Sequence, residues 1–321
     1  MRTSTPLLCA AIVLLVMGHA SAQSYPAKSI RIVAASGAGG GVDTISRIVG
    51  QKLAERWNQS VVVENRPGAG GAVGSDVVAK SPADGHTLLA ISISYSVIPS
   101  SHKNLPYDPV RDLVPVTVLV NAPNILVVHP SLPAKSIKEL VAFAKARPGE
   151  LYYASSGNGS PAHLATELLK LLSGINLVHV PYKGTSPGMM DVVAGRTSMM
   201  FASVISTASH IKAGKLRVLA TAGTKRAAAM PDVPTIAEAG VPGYAVDVWY
   251  AMLAPAATPR DVLAKLNGEV AAALRLPEIK DRLAGIGLEP VGGSLEQSAA
   301  YIHSEVAKWA KVVKAANIAA N

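Results

Sequence analysis

Short apolar runs alternate with longer amphipathic ones along most of this chain, each closed by glycine, proline or a polar turn. Residues 30–35 form a β-like run, and residues 43–57 place Ile45, Ile48, Val49 and Leu53 at helical spacing. A short β-branched strand at 61–64, a helix at 72–81 and a strand at 88–94 continue the alternation. Such a β-α-β-α-β order predicts a mainly parallel sheet with helices on both faces.

A second series repeats the device. Strands at 114–119 and 124–128 carry the chain onward, followed by a helix at 137–146, a strand at 151–154 and a helix at 162–172. Strand 177–180, helix 188–194, strand 198–201, helix 206–213 and strand 216–220 follow. Residues 246–253 read as a return strand, and helices at 260–275, 278–286 and 295–315 close the chain. Two α/β units are the expected organisation, because 321 residues exceed the usual size of a single core.

Two glycine-rich segments stand at strand-to-helix junctions: Ser36-Gly37-Ala38-Gly39-Gly40-Gly41-Val42-Asp43 and Ala154-Ser155-Ser156-Gly157-Asn158-Gly159-Ser160. Glycine lets the backbone approach a ligand closely, and a helix N-terminus offers N–H donors and roughly half a positive charge. Two such junctions imply two lobes gripping one small anion. Asp43 lies in the first helical turn and reads as a cap rather than a ligand.

Familiar catalytic and nucleotide motifs fail on inspection. A dinucleotide fingerprint needs glycines at i, i+2 and i+5, but the last position falls on Val42, Val73 or Ala162. Gly184-Thr185-Ser186-Pro187-Gly188 matches a nucleophile-elbow pattern in letters only. Pro187 has no N–H to give an oxyanion hole, and proline biases Ser186 toward extended geometry. No histidine pair flanks a glutamate at metal-binding spacing, so His163 and His179 read as structural, and no cofactor is expected.

Composition adds a compartment. Arg2, the apolar stretch 7–17 and Ala20-Ser21-Ala22 read as a signal peptide of residues 1–22, too short to span a bilayer. The chain's only cysteine, Cys9, falls within it, leaving a thiol-free mature protein exported to a bacterial periplasm. A formal charge of +9 favours an anionic ligand, while no basic run interleaved with aromatics supports nucleic-acid binding.

The order of several segments closely resembles the Bug-type periplasmic receptors of tripartite tricarboxylate transporters. Its landmarks are Gly39-Gly40-Gly41 with Asp43, Val63-Glu64-Asn65-Arg66-Pro67-Gly68, Asp84-Gly85-His86-Thr87-Leu88 and Leu105-Pro106-Tyr107-Asp108-Pro109. Tyr153-Ala154-Ser155-Ser156-Gly157, His179-Val180-Pro181-Tyr182-Lys183-Gly184 and Pro231-Asp232-Val233-Pro234-Thr235 complete it. The resemblance implies a two-lobed α/β fold of the type II periplasmic-binding-protein, or Venus flytrap, kind. Residues 23–123 with 247–321 would form lobe 1 and residues 124–246 lobe 2. It implies a monomeric, non-catalytic receptor that holds a small carboxylate between the lobes and delivers it to membrane permease subunits. A ligand sensor feeding a signalling partner and a secreted serine hydrolase using Ser186 are the alternatives.

Carried onto this chain, the first binding loop comprises Ser36, Gly37, Ala38, Gly39 and Gly40. The second comprises Ser155, Ser156, Gly157, Gly159 and Ser160, with Ser92, Ser94, Tyr95, Tyr182 and Ser203 completing the cavity. The chain departs from the family at Ala35-Ser36, where a Pro-Phe pair is common, and at Ala38, where proline is common. Those changes imply a larger or more polar pocket. Ala202 stands where many relatives carry an acid, which implies a disfavoured amino-acid ligand.

Overall fold

A computed structural model describes residues 25–102, 104–316 and 318. The segment 1–22 read as a signal peptide, and Cys9 with it, lies outside these residues. The first sheet contains β1 (Ile30–Ala34), β2 (Val61–Asn65), β3 (Thr87–Ser92), β4 (Leu113–Asn121), β10 (Trp249–Pro255) and β11 (Glu289–Gly292). Their spatial order is β11-β4-β10-β3-β1-β2. The second contains β5 (Asn124–Val128), β6 (Tyr152–Ser155), β7 (Val178–Pro181), β8 (Met199–Ser203) and β9 (Arg217–Thr221), ordered β7-β6-β8-β5-β9.

Both sheets are mixed rather than mainly parallel. Strand β1 runs parallel to β2 and β3, but β10 runs antiparallel to β3 and β4, and β11 antiparallel to β4. In the second sheet β6 is parallel to β7 and β8, while β5 is antiparallel to β8 and β9. The reason is connectivity. The βα strands deliver their C-terminal ends to the face between the sheets. A strand that enters a sheet from that face, as β5 does after β4 and β10 does after β9, must run the opposite way.

The helical periods also hold. Helix α1 (Gly41–Trp57) buries Ile45, Ile48, Val49 and Leu53 and ends at Asn58, a residue with φ of 50°. It begins two residues before the apolar period does, because Gly40 and Gly41 need no side chain to join the first turn. Helix α5 (Pro161–Ser173) starts with proline where no N–H is needed and stops at Gly174, at φ of 67°. The edge strand β11 carries no apolar alternation and contains Pro290, so its local pattern gives no strand signal.

Near the C-terminus, α10 (Leu295–Ala316) packs on β4 of the first sheet and on α5 of the second unit. Its Glu305 is buried and accepts two indole N–H bonds, from Trp249 at 3.2 Å and Trp309 at 3.1 Å. Both tryptophans are fully buried, so their N–H groups have no solvent to turn to. Replacing Glu305 by alanine orphans both donors and is expected to cost about 2–5 kcal/mol, read as a lower urea midpoint. A midpoint unchanged from the parent protein contradicts this account.

Candidate functional site

The two glycine-rich turns are built on one plan. In the first, Gly40 N–H donates to the Gly37 carbonyl at 3.2 Å, and in the second Ser160 N–H donates to the Gly157 carbonyl at 3.2 Å. Gly39, at φ of 75°, gives its N–H to Asp43 Oδ2 at 2.8 Å; Gly159, at φ of 69°, gives its N–H to His163 Nδ1 at 3.0 Å. Each turn is thus tied to the side chain in the first turn of the helix it opens. Positive φ makes glycine the natural residue at both tied positions.

The two ties differ in charge. Asp43 is buried and also accepts from Asn65 Nδ2 at 3.0 Å and pairs with Arg47 at 2.9 Å. Burial works to raise its pKa, but the bonds from Arg47, Gly39 and Asn65 outweigh it and hold the carboxyl below its ordinary range. His163 instead accepts through Nδ1 and stacks on His179 with ring centroids 4.2 Å apart. His179 bonds Ser155 Oγ at 2.6 Å and stacks on Tyr153, whose hydroxyl donates to Glu167 at 2.6 Å. Lys170 meets the same Glu167 oxygen at 2.7 Å. Burial, and secondarily the neighbouring His163, pushes His179 down to about 4; His163 is also lowered, chiefly by burial.

Between the lobes lies a cavity of about 470 Å³. Gly39, Gly40, Gly41 and Thr44 bring the start of α1 to it, and Ser156, Pro161 and Ala162 bring the start of α5. Thr185 opens α6 (Thr185–Val193) beside it, and Ser203, Ile205 and Ser206 belong to the start of α7 (Val204–Lys212). Helix N-termini from both sides therefore converge on one space. Their first-turn N–H groups lack carbonyl partners within the helix and point a partial positive charge inward. The lining includes no Asp, Glu, Lys, Arg or His, so backbone and neutral side chains set its potential. Such a space suits a small anion. Among the described residues, no cluster of His, Cys, Asp and Glu could hold a metal ion.

Of the residues read from sequence, Gly39, Gly40, Ser156 and Ser203 line this cavity. Ser203 also caps α7 by accepting the Ser206 N–H. Ser94 and Gly159 line a smaller cavity of about 240 Å³, beside Gly70 and Asn158. The others serve the scaffold. Ser155 is fully buried and braces Gly157 and His179; Ser160 caps α5; Gly157 accepts within the turn. Ser36 gives its carbonyl to Asn65, while Gly37 and Ala38 are exposed.

Three expected contributors are turned to other partners. Tyr95 is buried with its hydroxyl donated to the Pro109 carbonyl, Tyr182 gives its hydroxyl to Asp191 at 2.5 Å, and Ser92 bonds Ser94 at 2.8 Å. Ala35 packs on α2 (Ala72–Ala79), where a Cβ added to Gly74 would lie 3.0 Å from its own Cβ. Neither Ala35, Ser36 nor Ala38 lines the cavity, whereas Ala202 does. Ser186 is exposed in the first turn of α6, and no histidine bonds it among the described residues.

Sequence reasoning missed the floor. Asn124 and Tyr250 open onto the cavity from β5 and β10, the strands that enter each sheet from the other lobe. Thr44, Phe201, Val248 and Leu288 add to the wall. The local signal at Asn124 is weak, a polar residue between Pro123 and an apolar run, and Tyr250 sits within what reads as an ordinary strand.

A sequence model of the tripartite tricarboxylate transporter family receptor matches residues 45–318. The chain belongs to that receptor family. It is 37% identical over 300 residues to Protein BugT of Bordetella pertussis, covering 92% of this chain and 91% of that protein. The solved structure of R. palustris Rpa4515 with adipate superposes with a TM-score of 0.81 at 37% identity, covering 92% of this chain and 99% of that one. Periplasmic binding protein BugD superposes at 0.78 with 32% identity, covering 92% and 99%. MatC from Rhodopseudomonas palustris with bound malate superposes at 0.76 with 29% identity, covering 90% and 100%. These family members are solute-binding receptors, and the two-lobed fold is theirs.

For this receptor, Asp43→Ala leaves the Gly39 N–H without its acceptor and Asn65 Nδ2 with the Ser36 carbonyl alone, and is expected to destabilise by about 1–3 kcal/mol in urea titrations. Equal stability of the variant refutes the tying role. A second outcome concerns acid. The fold accommodates neutral His179, so between pH 6.5, its ordinary value, and about 4 the unfolded chain binds more protons than the native one. The stabilisation is complete above that window and lost as pH falls through it. The thermal midpoint should drop across the window, and His179→Gln should flatten the drop; parallel curves contradict the assignment.

Proposed function

We propose that this protein is a periplasmic receptor that captures a small carboxylate in the interlobe cleft and delivers it to a tripartite tricarboxylate-type permease. The observation that carries the reading is the convergence of helix N-termini from both lobes on a cavity walled by uncharged residues. Adipate in one structural neighbour and malate in another support a carboxylate as the ligand class. Family receptors are periplasmic, and no helix among the described residues is long and apolar enough to cross a membrane.

The energetics are sufficient without an arginine. A hydrogen bond to a charged group contributes roughly 1.5–3 kcal/mol. A few of them, less ordering costs, reach the approximately 8 kcal/mol of micromolar affinity. In this reading residues 23–123 with 247–321 move as one lobe and 124–246 as the other, hinged at the two crossings. Ligand bridging α1 and α5 favours the closed arrangement, in which the monomer presents both lobes to the permease. At the cleft edge the lobes already meet, Gly287 lying against Ile205.

A thermal-shift series with succinate, adipate, malate and their amides tests the reading. A true ligand at 100-fold over its Kd stabilises by about 2.7 kcal/mol, and the matched amide should not. Ser156 lines the cavity with no partner for its hydroxyl among the described residues, so Ser156→Ala should weaken binding about tenfold. Amides that bind as tightly as acids, or a Ser156→Ala protein with parental affinity, would overturn the assignment.

A further inference from the structure

The cavity floor carries polar groups that a simple carboxylate would not use. Asn124 is 9% exposed and opens β5; its carbonyl is held by the Ala222 N–H at 2.8 Å. Its side-chain amide faces the cavity with no hydrogen-bond partner among the described residues. Buried amides are seldom left unpaired, and this one offers both donors and an acceptor. Tyr250, on β10, also lines the cavity, its hydroxyl without a hydrogen-bond partner among the described residues. A Cβ added to Gly41 would collide with that hydroxyl, so the phenol oxygen stands against the first residue of α1. It lies beside the N–H groups that attract a carboxylate. Burial raises its pKa, so it remains a neutral donor and acceptor.

Building on the carboxylate-receptor reading, we infer that the ligand carries an uncharged oxygen group, a hydroxyl or keto oxygen, on the chain beside its carboxylate, and that Asn124 and Tyr250 read it. An amide and a phenol, each able to donate and accept, complement a hydroxyl in either sense and a keto oxygen as donors. They complement a second anion poorly, since no cation lines the cavity to balance it. The hydrocarbon remainder has Phe201, Ala202, Val248 and Leu288 to lie against. The two readers stand on strands of different sheets, next to the crossings, so the substituent is held where the lobes pivot rather than where they open. A site with unpaired polar groups discriminates strongly against an analogue that lacks their partner.

Calorimetric titration of matched acids tests this: malate against succinate, and lactate against propionate. The oxygenated member of at least one pair should bind tenfold or more tightly. In Tyr250→Phe, which keeps the ring and removes one oxygen, that preference should shrink by about fivefold to tenfold. Asn124→Ala should shrink it similarly. Melting of the unliganded variants checks folding, and if Asn124→Ala does not fold then Tyr250→Phe decides. Unsubstituted acids that bind as tightly as their partners, or preference ratios unchanged in the variants, overturn the inference while leaving the carboxylate reading intact. If these four acids and adipate all fail to bind, the carboxylate reading falls and this inference with it.

Discussion

The direction of the βα strands is the constraint on which the rest of this structure depends. Strands β1, β6 and β8 end toward the interlobe space, so the helices that follow them begin there. Each helix begins with N–H groups that its own carbonyls cannot satisfy. Anion recognition is thus a by-product of the fold's handedness and connectivity. It needs no arginine, and it avoids burying a cation that would be costly when the cleft is empty.

That economy places the burden on the shape of the turns. Gly39 and Gly159 spend their N–H groups on holding the turns rather than on ligand. The same geometry is anchored by a charged carboxylate in one lobe and by a neutral imidazole in the other. Asp43 is secured by Arg47 and Asn65 and keeps its charge. His163 belongs to a stack with His179 and Tyr153 that disfavours protonation, so the second lobe loses stabilisation at a higher pH than the Asp43 tie in the first. The larger consequence is that most serines of the second turn are braces, and Ser156 is the hydroxyl left facing the cavity.

The crossings between sheets do more than join the lobes. Entry from the cleft side forces β5 and β10 antiparallel to their neighbours, which is why both sheets are mixed. It also places their first residues at the cavity floor, where Asn124 and Tyr250 stand. The crossings and the cavity floor therefore share the same short segments.

Local pattern by itself determined the alternation of strands and helices, because period and turn chemistry are properties of neighbouring residues. Helix α4 (Ile137–Ala146), strand β5 and helix α8 (Arg260–Arg275) coincide with their expected bounds, and the two glycine turns were legible as strand-to-helix junctions. Asp43 was legible as a local structural residue, since Gly39 lies four residues away, but it ties the turn rather than capping the helix, whose N-cap is Gly40. Which hydroxyls face the cavity was not. Tyr95 pairs with Pro109, and Ser155 with His179, through contacts that sequence spacing does not encode. Asn124 and Tyr250 meet one cavity from strands on different sheets, and Leu288 joins them from a turn before the edge strand β11. Side-chain direction at a cleft is set by packing between distant segments, so only the tertiary structure decided what the two glycine turns enclose.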